Sequence, residues 1–320
     1  MTIRSVLITG ANAGLGREAA RQLAQRPEIE KIYLACRNAA KARLAKSELE
    51  AESGRRIFDV VLMDVSDPAS VRDAVAGLAG RIDGIVLNAG GMGGHDSFAQ
   101  VPAGVTSIFA ANVLGHAVLI DELLARDLAP STVLYAGSEA ARGIPRMGVP
   151  RPELQTMSVD EFVSIAEGSA FAPRTDPMVA YAHVKLFGAL WMASLARSHP
   201  SIRFVTMSPG GTTGTNGMDD LPFLKRLMFK HVGGALMPLF GMMHGLDVGA
   251  RRYVDALLDS RFESGHFYAS TAGSPTGRVI DQAELWDLFS SPAAQDNAAR
   301  ALERFTRHAT HSPTSLEGVA

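Results

Sequence analysis

A glycine-rich turn stands between the first apolar run of the chain and its first helical pattern. Residues 6–8 are Val-Leu-Ile, which predicts a short buried strand, and residues 14–25 have a helical pattern. The turn between them reads Thr-Gly-Ala-Asn-Ala-Gly-Leu-Gly over residues 9–16. Glycines there allow a tight turn and let the backbone approach a pyrophosphate, which the unpaired N–H groups of the following helix can bind. Because the turn directly follows a strand, nucleotide binding is favoured over an ordinary glycine-rich turn.

Strands and helices alternate along most of the chain. Apolar runs predict strands at residues 6–8, 32–35, 58–63, 84–87, 132–136, 203–207 and 267–270. Helical patterns lie between them, and this alternation predicts parallel strand pairing with helices on both faces of the sheet. The predicted fold class is therefore α/β, a doubly wound, mostly parallel sheet of the Rossmann type. We expect a single domain over residues 1–309 and a flexible polar tail over residues 310–320.

Composition argues against several classes of function. The chain has 320 residues, of which 47% are hydrophobic and 20% charged, as in a globular protein with a substantial core. Its formal net charge of −2 gives no overall attraction to nucleic acid. The single cysteine, Cys36, excludes an intrachain disulfide and a cysteine-based metal cluster, and no metal site is predicted. We expect neither a signal peptide nor a transmembrane helix, and a cytoplasmic location.

Tyr181 and Lys185 stand four residues apart in a helical pattern over residues 178–198, which places a phenol and an ammonium on one face. A free tyrosine has a pKa of about 10 and is a poor base at neutral pH. A neighbouring ammonium, together with the positive charge of an oxidised nicotinamide, favours the phenolate, so we expect a Tyr181 pKa moved towards the range of acid–base catalysis. Ser138 ends the fifth predicted strand. Taken alone, Tyr181 would be read as a packing residue and Ser138 as a turn serine.

The Thr-Gly-x3-Gly-x-Gly spacing resembles the short-chain dehydrogenase/reductase family, whose further motifs follow in order over roughly residues 3 to 270. The resemblance implies that Tyr181 protonates a carbonyl oxygen to which Ser138 also hydrogen-bonds. It implies that Lys185 holds the ribose hydroxyls and that Asn112 positions a water that links Lys185 to solvent. The cofactor site implied by the resemblance consists of Gly10, Asn12, Ala13, Gly14, Leu15, Gly16, Asp64, Val65, Asn88, Ala89, Gly90, Tyr181, Lys185, Pro209, Gly210, Thr213 and Thr215.

The end of the second predicted strand indicates which nicotinamide cofactor is preferred. A carboxylate there would bond the ribose 2′-hydroxyl of NAD and repel a 2′-phosphate. This chain has Ala-Cys-Arg-Asn at residues 35–38, without an acid. Arg37 is suited to a charge-assisted contact with the 2′-phosphate of NADP, although a solvated surface arginine is the competing interpretation. NADP(H) is therefore the predicted cofactor, with NAD(H) as the alternative.

Two segments are candidates for shaping the substrate site. One is an insertion at about residues 142–177, between the fifth strand and the Tyr181 helix, with a predicted helix over Val159–Glu167. Ser158 and Glu161 would form a capping box for that helix, and the insertion is either a lid or a surface elaboration. The other segment, at about residues 211–246, is rich in Met, Phe and Leu. It would cover an apolar substrate or pack on the main domain, with peripheral membrane contact as a third interpretation.

The insertion, the Leu-Ala-Cys-Arg-Asn sequence at residues 34–38 and the apolar segment resemble the retinol dehydrogenase and protochlorophyllide reductase branch. Protochlorophyllide reductases rely on a cysteine in the substrate region, and Cys36 lies instead beside the cofactor, so that activity is disfavoured. The expected function is NADP(H)-dependent hydride transfer between nicotinamide and a carbonyl or alcohol of a fairly apolar small molecule. Reduction of a C=C bond with the same tyrosine and a non-catalytic NADP(H) sensor are the alternatives. Substrate identity, reaction direction, stereochemistry and homo-oligomer formation are left open.

Overall fold

One mixed sheet organises the computed structural model, which describes residues 2–78, 80–213 and 242–308. Its strands are β1 (Ser5–Thr9), β2 (Lys31–Cys36), β3 (Phe58–Leu62), β4 (Gly84–Leu87), β5 (Thr132–Ala136), β6 (Arg203–Met207), β7 (Phe267–Ser270) and β8 (Val279–Asp281). The strand order is β3-β2-β1-β4-β5-β6-β7-β8, and only β7 and β8 pair antiparallel. The predicted doubly wound α/β class is confirmed, and β8 is an edge strand that the sequence pattern did not predict. The order reverses between β1 and β4, which creates a crevice at the carboxyl ends of the strands.

Helices cover both faces of this sheet. In the described residues they are α1 (Gly14–Leu23), α2 (Ala39–Ser53), α3 (Pro68–Ala76), α4 (Ser107–Ala125), α5 (Val159–Glu167), α6 (Pro177–Ser198), α7 (Leu246–Leu258) and α8 (Pro292–His308). Five of these helices begin at a residue whose side chain accepts a hydrogen bond from a backbone N–H of the first turn: Asn38, Asp67, Ser158, Asp176 and Ser291. Helix α1 begins at Ala13 without a side-chain cap. Its first N–H groups are therefore left for another partner.

Two apolar layers fill the space between sheet and helices. One contains side chains of α1, α2 and α7, and the other contains side chains of α3, α4, α5, α6 and α8. Phe187 of α6 joins several helices, since its ring centroid lies 4.9 Å from that of Phe109 and 5.4 Å from that of Phe162. Phe305 of α8 packs against Phe109 from the other side, at 6.4 Å between centroids. The helix of the insertion and the last described helix therefore bury the outer faces of α4 and α6.

The insertion contains the predicted helix Val159–Glu167, here α5. The hydroxyl of Ser158 accepts a hydrogen bond from the Glu161 N–H at 3.2 Å, as predicted. The other hydrogen bond of the predicted capping box is wrong, because the Glu161 carboxylate does not accept from the Ser158 N–H. It accepts instead from the N–H groups of Gln155, Thr156 and Met157, at 2.6, 2.8 and 2.6 Å. The chain before the helix folds back over the first turn, so its N–H groups occupy the carboxylate in place of the Ser158 N–H.

Two helices of the described part, α4 and α6, are long and apolar enough to cross a membrane by length and composition alone. In each, 72% of the apolar window is buried inside the fold. Core helices of this kind meet the same criteria, and we interpret both as core helices. The predicted tail over residues 310–320 and most of the predicted apolar segment lie outside the described residues.

Candidate active site

A cleft of about 780 Å³ opens where the carboxyl ends of β1 to β6 meet. Most of the predicted site residues line it: Gly10, Asn12, Ala13, Gly14, Leu15, Arg37, Asp64, Val65, Asn88, Ala89, Gly90, Ser138, Tyr181, Lys185, Pro209 and Gly210. Gly16, Asn112 and Thr213 are not among the lining residues, and Thr215 lies outside the described residues. Lys41, Thr212 and Tyr253 line the cleft as well, and the sequence analysis did not single them out.

The glycine turn has the shape that a dinucleotide requires. Gly10 and Gly14 adopt φ angles of 67° and 55°, in the left-handed region that favours glycine. Gly16 lies beneath the turn, where an added Cβ would come within 2.5 Å of Asn88 Nδ2. It therefore permits close packing of α1 instead of lining the cleft. With its uncapped start facing this cleft, α1 can donate N–H groups to a pyrophosphate, so the residues present fit a nicotinamide dinucleotide.

A buried hydrogen-bond network joins the glycine turn to the turn after β4. The Thr9 hydroxyl oxygen accepts from the N–H groups of Asn88 and Ala89, both at 2.9 Å. The imidazole of His116 lies on its other side, with Nε2 3.1 Å from Thr9 Oγ1 and Nδ1 3.1 Å from the Asn112 carbonyl oxygen. A carbonyl only accepts, so we assign the proton to Nδ1 and let Nε2 accept from the Thr9 hydroxyl. Burial, with the nearby Lys185 charge, lowers the His116 pKa to about 3 and keeps the ring neutral.

Asn112 holds the backbone that follows Gly90. Its Oδ1 accepts from the Gly91 N–H at 3.2 Å, and its Nδ2 donates to the carbonyls of Gly91 at 2.8 Å and Ile108 at 2.7 Å. The residue is fully buried in a π-helical turn over Ala110–Leu114. The side-chain amide thus supports the cleft wall, a role that the sequence analysis did not predict. The water that it was expected to position stays a prediction.

Ser138, Tyr181 and Lys185 meet at one end of the cleft. The Ser138 side chain hydrogen-bonds to Tyr181 and also accepts from the Ala140 N–H at 3.2 Å. One turn after Tyr181 on α6, Lys185 donates to the Ala136 carbonyl at 2.9 Å, with its Nζ 5.5 Å from the Tyr181 ring centroid. Helix α6 and the end of β5 therefore bring the predicted side chains together.

The electrostatics of this group differ from the prediction. Burial raises the pKa of Tyr181 to about 12, against the lowering effect of the Ser138 hydrogen bond. Burial also lowers the pKa of Lys185 to about 7. Without an oxidised nicotinamide, on whose charge the prediction also relied, the protein alone does not lower the Tyr181 pKa, because phenol and amine are desolvated together and the amine loses much of its charge. At neutral pH Tyr181 therefore keeps its proton and can donate it.

The opposite end of the cleft carries positive charge. Arg37, just after β2, is exposed and lines the cleft, and Lys41 in the first turn of α2 lines it too. Neither side chain has an ion-pair partner among the described residues. Asp64 lies nearby, its Oδ1 accepting from the N–H and hydroxyl of Ser66 at 2.9 and 2.6 Å. These two free cations can receive an anionic group.

Thr213 does not line the cleft, and Thr215, the other predicted threonine of this loop, lies outside the described residues. The N–H and hydroxyl of Thr213 both donate to the carbonyl of His244, at 3.0 and 3.2 Å. Thr212 lines the cleft instead, and its hydroxyl donates to the Gly210 carbonyl at 3.1 Å.

An apolar surface flanks Tyr181. Ala140, Val149 and Ala182 form a small buried cluster, and Ile144, Met147 and Met178 pack against it together with Tyr181. Part of this cluster comes from the beginning of the insertion, whose helix α5 packs against α6 and α8. No residue of the segment 142–177 lines the cleft. The insertion therefore contributes an apolar shoulder beside Tyr181, while its helix belongs to the core.

Comparisons with known proteins provide independent findings. Residues 4–141 match the family model described as short chain dehydrogenase. Retinol dehydrogenase 12 of Bos taurus is 35% identical over 140 residues, which cover 42% of this chain and 43% of the relative. Retinol dehydrogenase 11 of Homo sapiens is 29% identical over 197 residues, covering 60% and 55%. The chain thus spans about half the length of these curated relatives.

Solved structures match over a larger share of the chain. L-sorbose reductase from Gluconobacter frateurii, complexed with NADPH and L-sorbose, superposes with a TM-score of 0.59 at 17% identity, covering 85% of this chain and 97% of that one. The NADPH-bound carbonyl reductase from chicken fatty liver gives a TM-score of 0.56 at 16% identity, covering 88% and 99%. At such identities the likeness shows the fold alone.

Proposed function

Because the chain belongs to the short-chain dehydrogenase/reductase family and resembles its retinol dehydrogenase branch, we propose that it is an NADP(H)-dependent oxidoreductase acting on an apolar carbonyl or alcohol. The observation that carries the proposal is one cleft with Ser138, Tyr181 and Lys185 at one end and Arg37 at the other. The uncapped start of α1 lies between them. This order of groups fits a nicotinamide, a pyrophosphate and an adenosine phosphate in turn.

Tyr181 is the proton donor in the proposed reduction. The bound nicotinamide supplies the hydride to the carbonyl carbon. The Tyr181 hydroxyl gives its proton to the carbonyl oxygen, and its raised pKa means that the proton is present at neutral pH. Ser138 donates to the same oxygen and stabilises the charge that develops there. Lys185 lies one turn away, where its amine can bond ribose hydroxyls and a proton on it would stabilise the phenolate that Tyr181 leaves.

NADP(H) is the proposed cofactor because the adenosine end of the cleft carries cations without carboxylate partners. Arg37 and Lys41 can both contact a 2′-phosphate, and Arg37 can do so with two parallel N–H groups. Two solved neighbours of the same fold were determined with NADPH bound, which is consistent with this choice.

An apolar substrate is proposed from the surroundings of Tyr181. Ile144, Met147 and Met178 pack, together with Tyr181, against the small apolar cluster beside the cleft, without lining the cleft itself. Methionine side chains adapt to irregular apolar molecules. The names of the curated relatives, retinol dehydrogenases, are consistent with an apolar alcohol or aldehyde.

Turnover with purified protein tests the proposal. We expect oxidation of NADPH in the presence of apolar aldehydes or ketones from a panel of chain and ring compounds, and slower oxidation of NADH. The matched control is Tyr181→Phe, which keeps the ring and removes the donor. Binding of NADPH without turnover on any member of the panel would instead favour a sensor.

A further inference from the structure

Helix α7 lies directly against the cofactor turn. A Cβ added to Gly249 would come within 2.7 Å of Thr212 Oγ1 and 2.9 Å of a Leu15 methyl carbon. It would also come within 3.3 Å of the Pro209 carbonyl oxygen. Glycine at this position therefore lets the helix approach both the start of α1 and the loop after β6. A side chain on this face of α7 can therefore line the cleft.

Tyr253 follows Gly249 by four residues and therefore lies on the same face of α7. Its side chain is only 2% exposed, and it lines the cleft. Its hydroxyl has no hydrogen-bond partner among the described residues. The neighbouring Arg252, in contrast, donates to Ser270 Oγ at 2.9 Å and to the Gly277 carbonyl at 3.0 Å. Because Tyr253 lines the cleft and a tyrosine hydroxyl normally finds a partner, an acceptor that enters the cleft can take this hydrogen bond.

We propose that the Tyr253 hydroxyl donates a hydrogen bond to an oxygen of the dinucleotide bound in the cleft, an inference that rests on the proposed function. Its helix borders Leu15, at the pyrophosphate end of α1. Tyr253 also lies near enough to Tyr181, at the nicotinamide end, for the two side chains to interact electrostatically. The acceptor is therefore a pyrophosphate oxygen or the carboxamide oxygen of the nicotinamide.

The Tyr253 hydroxyl is suited to donate a hydrogen bond, and it does not lose its proton in the pH range of an assay. Burial raises its pKa well above the ordinary value, and the negative charge of Glu139 adds to that effect. The hydroxyl thus stays protonated at any pH at which the protein is assayed. A protonated donor on the cleft floor complements the backbone N–H groups at the start of α1.

Tyr253→Phe tests the inference, because it removes the hydroxyl and keeps the ring. The full-length protein is titrated with NADPH by isothermal calorimetry. We expect the Kd to rise about tenfold, the effect of one lost hydrogen bond to a charged or polar oxygen. The control is Tyr33→Phe on β2, outside the cleft, which should leave the Kd unchanged. Without NADPH, the melting temperature of Tyr253→Phe should not fall, since the hydroxyl has no partner in the protein.

A second ligand locates the acceptor. 2′-Phospho-ADP-ribose has the pyrophosphate and lacks the nicotinamide. If Tyr253→Phe raises its Kd by the same factor as the Kd of NADPH, the hydroxyl contacts the pyrophosphate. If only NADPH binding weakens, the acceptor is the carboxamide. An unchanged Kd for both ligands, or a fall in the melting temperature of the unliganded variant, overturns the inference. Wild-type protein that binds NADPH without turnover would contradict the proposed activity and leave this inference standing.

Discussion

His116 Nε2 lies 3.1 Å from Thr9 Oγ1, and this contact joins the two turns that frame the cofactor cleft. The Thr9 hydroxyl oxygen already accepts from two N–H groups of the turn after β4, so its own proton points to the imidazole. A neutral, fully buried histidine thereby fixes the orientation of a hydroxyl on the opposite element. The contact explains how the glycine turn keeps its position relative to Asn88 and Ala89.

His116→Leu should lower the free energy of unfolding by about 2–4 kcal/mol, because it removes two buried hydrogen bonds of the imidazole, to the Thr9 hydroxyl and to the Asn112 carbonyl. Urea denaturation followed by circular dichroism measures this loss. Thr9→Val removes the same contact from the other side, and the double variant should cost less than the sum of the two single variants. Additive losses would show that the two side chains are not energetically coupled.

Stability should fall in acid more steeply in the wild type than in His116→Gln. The folded pKa of His116 is about 3, below its ordinary value of 6.5. The unfolded chain therefore binds a proton below pH of about 6.5 that the folded chain excludes until about 3, and this histidine lowers stability as pH falls through that window. The loss approaches about 1.4 kcal/mol per pH unit. Denaturation midpoints between pH 7 and 4 measure it, and equal slopes for both proteins would contradict the assignment.

Lys185→Met should stabilise the protein without cofactor while it abolishes activity. Burial lowers the folded pKa of Lys185 to about 7, so at neutral pH the unfolded chain binds this proton more tightly and the fold is destabilised. Removing the amine should raise the free energy of unfolding by about 1 kcal/mol or more at pH 7. Lys41→Met, at an exposed position without an ion pair to a described residue, serves as a control for added hydrophobicity. A lower melting temperature would mean that the bond from Lys185 to the Ala136 carbonyl outweighs the cost of burial.

Arg37→Asp should reverse the cofactor preference. The change removes a cation and adds a carboxylate at the place where a 2′-phosphate would bind. The ratio of NADPH to NADH affinity should fall by about 10- to 100-fold, as expected for one charge-assisted hydrogen bond. Lys41→Gln should act in the same direction and more weakly. Lys46→Gln is the matched control, since Lys46 lies on the same helix beside Glu50 and Asp59. An unchanged ratio in Arg37→Asp would argue against a phosphate contact.

The sequence predicted those features that depend on local pattern. Apolar runs and glycine turns located the strands of the parallel sheet, and the order of motifs brought Ser138, Tyr181 and Lys185 into one site. His116 was missed because its partner Thr9 is 107 residues away in the chain, and no spacing rule connects them. The signal that was available is a histidine one turn after Asn112.

The desolvation of Tyr181 and Lys185 was another feature that the sequence did not show. The spacing of Tyr181 and Lys185 correctly predicts their common face, but the sign of their pKa shifts depends on how deeply α6 is buried. Tyr253 and Lys41 were likewise missed, because only the packing of α2 and α7 beside the cleft brings them to it. Thr212, not Thr213, lines the cleft, and the sequence does not show how this loop pairs with His244.

Transfer of deuterium from NADPH labelled at C4 shows whether the protein reduces a carbonyl with Tyr181 as the proton donor. The second substrate is an apolar α,β-unsaturated aldehyde, which offers both a C=O and a C=C bond, and the product is analysed by mass spectrometry and NMR. For the proposed carbonyl reduction, we expect one deuterium in the product, on the former carbonyl carbon. In Tyr181→Phe the rate of transfer should fall by at least about 100-fold, the lower end for loss of a general acid, with NADPH affinity retained.

Deuterium at the β-carbon of the product would show a C=C reductase, and bound NADPH without any transfer would show a sensor. Transfer to the carbonyl carbon at full rate in Tyr181→Phe would contradict the proton-donor role of Tyr181.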